Sequence, residues 1–328
     1  MTTTAVPAIG EDEIARFRAL HARLGDAVES AVRGKRDVVD LVLVAMFAGG
    51  HVLLEDVPGT GKTTLARAVA GALGGVSRRV QFTPDLLPSD VTGTSVYDPQ
   101  TCEVRFRPGP VFANIVLADE INRAAAKTQS ALLEVMEERT VTVDGVAHAV
   151  PAPFLVVATQ NPIDLDGTYR LPEAQLDRFM LRTSIGYPSV EHEIDVLRPG
   201  SGAGQVGAVP TVSNPHVVAE QGRRLATLHV ADPLLRYISD IGVASRGDGR
   251  LRLGASTRGL RSLVRCVQVY AAAQGRHFVV PGDVQALAVP VLAHRLVLTR
   301  EAQLAGTTTE EVLADVLAGV AVPRPAAR

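Results

Sequence analysis

The stretch from His51 to Leu65, HVLLEDVPGTGKTTL, constrains this chain more than any other. Val52 to Leu54 is a short apolar run, Pro58-Gly59 a turn, and Gly61-Lys62-Thr63 leads into helix formers from Leu65 to Ala70. Strand, glycine-bearing loop, Gly-Lys-Thr and helix, in that order, form the setting that a phosphate-binding loop needs. Loop N–H groups converge on an anion only where side chains leave room, which asks for glycine. The N-terminus of the following helix adds a partial positive charge. In such a loop Lys62 reaches the β- and γ-phosphates and the Thr63 hydroxyl holds Mg²⁺. The general pattern has a further glycine five residues before Gly61, where this chain carries Asp56. An ordinary glycine turn ahead of a core helix has the same local composition. Lysine occurs only at Lys35, Lys62 and Lys127 in an arginine-rich chain, and one of the three stands here.

A length of 328 residues suits two domains, or a large and a small one, and 46% hydrophobic residues supply an ample core. Cys102 and Cys266 lie far apart and in no metal-spaced cluster, which fits a reducing, cytoplasmic setting. Residues 1–10 lack the basic and apolar segments of a secretory signal. The longest apolar run, near Leu41 to Gly49, is shorter than the roughly 18 residues of a membrane span, so a soluble protein is expected. The net charge of −2 is uneven: residues 1–210 hold 19 basic and 26 acidic side chains, residues 211–328 hold 14 and 9. The basic second part is either an arginine-rich surface or a lid facing phosphates or an acidic neighbour. Neither part is basic enough to require nucleic acid.

Glu11 to Ala31 has the periodicity of an amphipathic helix, with Ile14, Phe17, Leu20 and Leu24 on one face. Asp37 is the expected cap of a second helix running to Met46. After a helix from Thr63 to Leu73 and a strand from Arg78 to Phe82, the long Pro84–Pro110 stretch alternates over residues 102–107, which predicts an inserted hairpin. Asn114 to Ala118 is a buried strand by its continuous apolar character and ends in Asp119-Glu120. An acidic pair there lies on the sheet edge where α/β proteins bind ligands. Asp119 would hold Mg²⁺ and Glu120 would orient or deprotonate a water; the alternative is a cap for the helix from Ala124 to Glu138. A second hairpin turns at Asp144-Gly145.

Phe154 to Thr159 is another buried strand, followed by Gln160-Asn161-Pro162. Asn161 is placed to bond a γ-phosphate or water, or is simply a turn residue before proline. In Leu176-Asp177-Arg178-Phe179, Arg178 either pairs with Asp177 or Glu173 or projects into a neighbouring subunit's nucleotide. A helix to Leu197 is expected next, then a Gly/Pro-rich linker. The rest reads as helices: His216–Leu228, Pro233–Ala244, Arg258–Ala273, Pro281–Ala293 and Thr309–Gly319. Ser256-Thr257 caps the third of these, which puts Arg258 in its first turn, an unfavourable place for a cation unless it meets phosphate or solvent.

Taken together, HVLLEDVPGTGKTTLARAVA, RVQFTPDLLPSDVTGTSVYD, FRPGPVFANIVLADEINRA, SALLEVMEERTVTVDG, VVATQNPIDLDGTYRLPEAQLDRF and GASTRGLRSLVRCVQVYAAAQGR resemble the MoxR branch of the AAA+ ATPases, the helix-2-insert group, over about Val32 to Gly319. The resemblance implies an α/β P-loop fold, a central parallel sheet flanked by helices, with a C-terminal all-α lid. The implied division is an N-terminal helix over 1–31, the ATPase core over 32–198, a linker over 199–215, the lid over 216–321 and a tail over 322–328. It implies ATP and Mg²⁺ as ligands. It implies a nucleotide-binding loop of Asp56, Val57, Pro58, Gly59, Thr60, Gly61, Lys62, Thr63 and Thr64, with Thr63 and Asp119 toward the metal. It further implies Glu120 as the catalytic carboxylate, a sensor role for Asn161, an arginine finger at Arg178 and a second sensor at Arg258. The insert is expected at about Pro84–Val104 and the second hairpin at about Thr140–Val150. Members of this branch are chaperone-type ATPases in hexameric rings, acting with a protein client or a partner bearing a von Willebrand factor A domain. A nucleotide-gated scaffold would use the same loop. A nucleic-acid motor would want a basic hairpin, whereas Arg105 and Arg107 here are accompanied by Glu103, Asp98 and Asp90.

Overall fold

The computed structural model describes residues 9–56, 59–160, 171–187, 190, 194 and 209–323. Its framework is a parallel sheet of β1 (Val52–Glu55), β2 (Ser77–Gln81), β5 (Ile115–Asp119), β8 (Leu155–Gln160) and β9 (Leu181–Thr183), in the order β2-β5-β8-β1-β9. Both faces are covered over the inner strands, so β1, β5 and β8 are almost wholly apolar, whereas the edge strands β2 and β9 carry polar residues. Successive side chains go to opposite faces: Val52 and Leu54 join one hydrophobic cluster, Leu53 the other.

The first face carries α1 (Glu11–Glu29), α2 (Arg36–Phe47) and α3 (Lys62–Leu73). Ile14, Phe17, Leu24 and Val28 form the buried stripe of α1, and Phe17 meets Phe47 edge to face at 4.9 Å. Asp37 does not cap α2: Lys35 is at the cap position and Asp37 lies in the first turn, where a carboxylate still favours the helix dipole. The second face carries α5 (Ala126–Glu138). It starts two residues later than expected, because residues 121–123 form a 3₁₀ turn first.

His51, just before β1, is fully internal. Its Nδ1 accepts from the Val156 N–H at 2.9 Å and its Nε2 lies 3.0 Å from the Met136 carbonyl, which sets the tautomer. Burial, with the nearby Arg139 guanidinium, holds this imidazole well below the usual histidine range. Arg139 itself is half-buried, pushed down to about 10 by desolvation, and donates to the carbonyls of Phe154 and Gly49 at 2.7 and 2.5 Å.

The expected insert is present as α4 (Pro88–Thr92) and the hairpin β3 (Gly93–Asp98)–β4 (Glu103–Pro108). The second hairpin is β6 (Thr140–Val143)–β7 (Val146–Ala149). The two touch: Phe106 stacks on His148 at 4.2 Å, and Ser95 donates to Asp144 at 2.5 Å.

The short α6 (Glu173–Leu176) precedes β9. Of the helix expected to reach Leu197, only residues 190 and 194 are described, both helical; residues 199–208 of the linker lie outside the described set. The C-terminal part contains α7 (Pro215–Leu225), α8 (Asp232–Gly247), α9 (Thr257–Ala273), α10 (Pro281–Leu292), α11 (Arg300–Leu304) and α12 (Thr309–Gly319). It also holds a small antiparallel pair that sequence reading did not anticipate, β10 (Leu251–Leu253) with β11 (Val297–Leu298). Leu263, Val267 and Ala271 of α9 belong to the same buried cluster as Phe17 and Val39, so the lid helices share a core with α1 and α2.

Candidate nucleotide site and arginine cluster

Strands β1, β5 and β8 run parallel, so their C-terminal ends open on one edge. The chain moves from β1 toward β2 on one side and places β9 on the other, and ligands favour the crevice at such a reversal. A cleft of about 270 Å³ lies here, lined by Asp56, Gly59, Gly61, Lys62, Thr63, Arg79, Gln81, Asp119, Glu120 and Thr159. Gly59 and Gly61 have φ of +88° and +91°, which a side chain would strain, and open space lies beside both. Gly61 is the N-cap of α3, so Lys62 and Thr63 open the helix at its positive end. Lys62 Nζ donates to the Asp56 carbonyl at 3.0 Å.

The structure explains why Asp56 stands where the general pattern has glycine. Its carboxylate, 4% exposed, accepts from Ser184 Oγ at 2.8 Å and from the N–H groups of Ile185 and Gly186 at 2.7 and 2.9 Å. Asp56 borders the cleft, yet its side chain ties the loop to the segment after β9. Its φ is not positive, so nothing in the backbone demands glycine.

Asp119 and Glu120 are placed by the end of β5. Thr159 Oγ1 donates to Asp119 Oδ1 at 2.6 Å and accepts from the Glu120 N–H at 2.8 Å. The other carboxylate oxygen of Asp119 accepts from Arg79 at 2.7 Å. Glu120 adopts φ 54°, ψ 50°, a left-handed conformation costing about 1–2 kcal/mol in a residue with a Cβ. Its Oε2 accepts from Gln81 Nε2 at 2.9 Å and Arg123 Nη1 at 3.0 Å. The pair is therefore not the cap of α5, whose N-cap is Ala125. Among the described residues, Thr159, Arg79, Gln81 and Arg123 were not singled out from sequence. Thr159 left a trace, as the one hydroxyl directly after the apolar run Leu155–Ala158.

Thr60 and Thr64 are not among the residues lining the cleft. Val57, Pro58 and Asn161 lie outside the described residues. Arg178 and Arg258 are not at the cleft. They share one carboxylate instead: Arg258 Nη2 lies 2.9 Å and Arg178 Nε 3.4 Å from Glu137 on α5. Arg178 thus pairs with neither Asp177 nor Glu173, the partners expected on its own helix. Arg258 Nε also faces Asp177 at 3.9 Å. The structure brings these two arginines together and leaves them apart from Lys62, Asp119 and Glu120.

Residues 51–181 match the ATPase family associated with various cellular activities (AAA), and residues 243–316 match the AAA lid domain. The chain is 47% identical to the uncharacterized protein YeaC of Bacillus subtilis, over 93% of this chain and 96% of that one. It is 40% identical to the chaperone MoxR1 of Mycobacterium tuberculosis, over 90% of this chain and 81% of that one. A crystal structure from Cytophaga hutchinsonii, described as a candidate ATPase, superposes with a TM-score of 0.89 at 35% identity, covering 96% of this chain and 98% of that one. Among the described residues no helix is long and apolar enough to cross a membrane. With the parallel sheet, the inserted hairpin, the helical lid and these likenesses in agreement, the chain belongs to the MoxR family of AAA+ ATPases.

Proposed function

We propose that this protein hydrolyses ATP with Mg²⁺ and uses the cycle to remodel or mature a protein partner. The observation that carries the reading is the convergence of Lys62 and Thr63, at the positive end of α3, with Asp119 and Glu120 in one cleft. The donor set suits the metal. Thr63 and Asp119 offer the hard oxygen ligands that Mg²⁺ prefers, and Asp119 already draws the cationic Arg79. When bound, the ion neutralises charge on the phosphates. Lys62 holds the β- and γ-phosphates, and the amides beside Gly59 and Gly61 receive anionic oxygens. Glu120 orients the attacking water, with Gln81 and Arg123 steering its carboxylate.

Arg178 and Arg258 stand apart from the cleft of their own chain, which supports a role at the cleft of an adjacent copy. There they would stabilise charge developing in the transition state. This favours a ring, hexameric by resemblance to the family, acting on a protein client or a von Willebrand factor A domain partner. The test is Glu120→Gln, measured for ATP retention and turnover. Nucleotide should remain bound while turnover falls by about 10²–10⁴-fold; undiminished turnover would remove Glu120 from the mechanism.

A further inference from the structure

The segment carrying Arg178 is gripped from the lid. Arg295 follows α10 in a 3₁₀ turn and is 5% exposed. Its Nε donates to Asp177 Oδ1 at 2.8 Å. Its Nη2 donates to the main-chain carbonyls of Phe179 and Asp177 at 2.7 and 3.1 Å, and its Nη1 to that of Met180 at 3.2 Å. These groups bracket Arg178 in sequence. The Asp177 carboxylate also accepts from Ser256 Oγ at 2.9 Å, and Ser256 in turn caps α9 by accepting from the Gly259 N–H at 2.9 Å. One buried guanidinium therefore reaches the surroundings of both Arg178 and Arg258.

The lid makes space for it. A Cβ on Gly259, the residue after Arg258, would stand 2.9 Å from Arg295 Cδ. A buried guanidinium is costly unless its donors are used, and an apolar side chain would fill the same volume more cheaply. What an apolar residue lacks is the planar fork, which addresses a carboxylate and several carbonyls at fixed angles.

We propose that Arg295 is a positioning residue for Arg178: by holding the main chain on both sides of it, Arg295 makes the finger's location depend on how the lid is seated. The inference rests on the reading above that Arg178 completes a neighbouring copy's site. Two full-length variants probe it. Arg295→Lys keeps the charge and loses the fork; Gly259→Ala keeps every hydrogen-bonding side chain and presses on the guanidinium. Each should lose about 10²-fold in kcat, the scale of a reacting group misplaced by about 1 Å, with the affinity for a fluorescent ATP analogue essentially unchanged.

Mixing separates a finger effect from general damage. Arg295→Lys subunits retain their own cleft, and Lys62→Ala subunits retain their finger, so the mixture should regain turnover. Arg178→Ala with Lys62→Ala, the control, should do so equally. Arg295→Lys with Arg178→Ala should not. If the control recovers and the Arg295→Lys mixture does not, Arg295 does not act through the finger and the inference falls alone. If the control fails, the trans reading of Arg178 falls and takes the inference with it. An unchanged kcat in both variants, or a loss matched by weaker analogue binding, also overturns the proposal. Should Arg295→Lys fail to fold, Gly259→Ala carries the same mixing test.

Discussion

At the cleft, Lys62, Thr63, Asp119, Glu120 and Thr159 arrive on the ends of two parallel strands, β5 and β8, and on the helix that follows a third, β1. At the arginine cluster, Glu137 comes from α5, Asp177 and Arg178 from the turn before β9, and Arg258 and Arg295 from the lid. The first assembly is fixed by sheet register, which a core buried on both faces makes hard to shift. The second is fixed by ion pairs and hydrogen bonds between parts distant in sequence. The cleft is therefore the stationary half of the proposed reaction, and the cluster the half that other events can move.

The comparison breaks most visibly if the cluster proves irrelevant to turnover. Arg178→Ala should lower kcat by about 10³–10⁵-fold while leaving nucleotide binding intact, as steady-state assays and analogue titration would check. A loss of binding would mean that Arg178 serves its own cleft.

The next largest effect tests the stationary half. Asp56→Gly restores the general loop pattern but abandons the N–H groups of Ile185 and Gly186 and the Ser184 hydroxyl. It should cost about 3 kcal/mol in denaturant unfolding. No loss would show that the carboxylate tie is dispensable.

A pH series addresses the supports of both halves: His51 is buried just before β1, at the end away from the cleft, and His294 is buried beside Arg295. Burial, then Arg139, lowers His51; burial, then Arg295, lowers His294, whose Nε2 lies 3.1 Å from the Phe179 carbonyl. Both are held well below 6.5, so the unfolded chain binds more protons once the pH drops under that value. Stability should be fully present above about pH 6.5 and decline below it, by up to about 1.4 kcal/mol per pH unit for each histidine. His51→Gln should remove one share of that slope in urea titrations between pH 7 and 5.

The smallest effect is expected at Glu137. Glu137→Gln weakens a half-exposed pairing with Arg178 and Arg258, and such pairs contribute about 0–1 kcal/mol. A change of kcat within about five-fold is expected from that range. A much larger drop would make Glu137 part of the machinery rather than a resting partner.

These two regions also differ in how far the sequence disclosed them. The cleft was legible because the helix, the turn and the acidic pair are local in sequence, and continuous apolar runs marked the strands that present them. Asp56 looked like a defect in the motif; its partners at 184–186 are some 130 residues away, beyond any local pattern. Arg79 and Gln81 were hidden because β2 is an edge strand with a mixed, largely exposed pattern, and nothing local says which strand end it will stand beside. In the cluster, Arg178 and Arg258 were named as candidates, but Glu137 and Arg295 were not. A glutamate on a solvent-facing helix and an arginine after an apolar helix have ordinary local surroundings. Only the packing of the lid on the core reveals what they touch. The β10–β11 pair escaped for a similar reason, being three and two residues long.

The shared core of α1, α2 and the lid helices limits how this molecule can change shape. Swinging the C-terminal helices away like a door would wet Phe17, Val39, Leu263 and Val267 together, an expense that grows with every side chain exposed. Sliding of packed surfaces past one another by an ångström or two leaves them dry. Small shear, relayed to the main chain around Arg178, is thus the displacement that this architecture permits most cheaply.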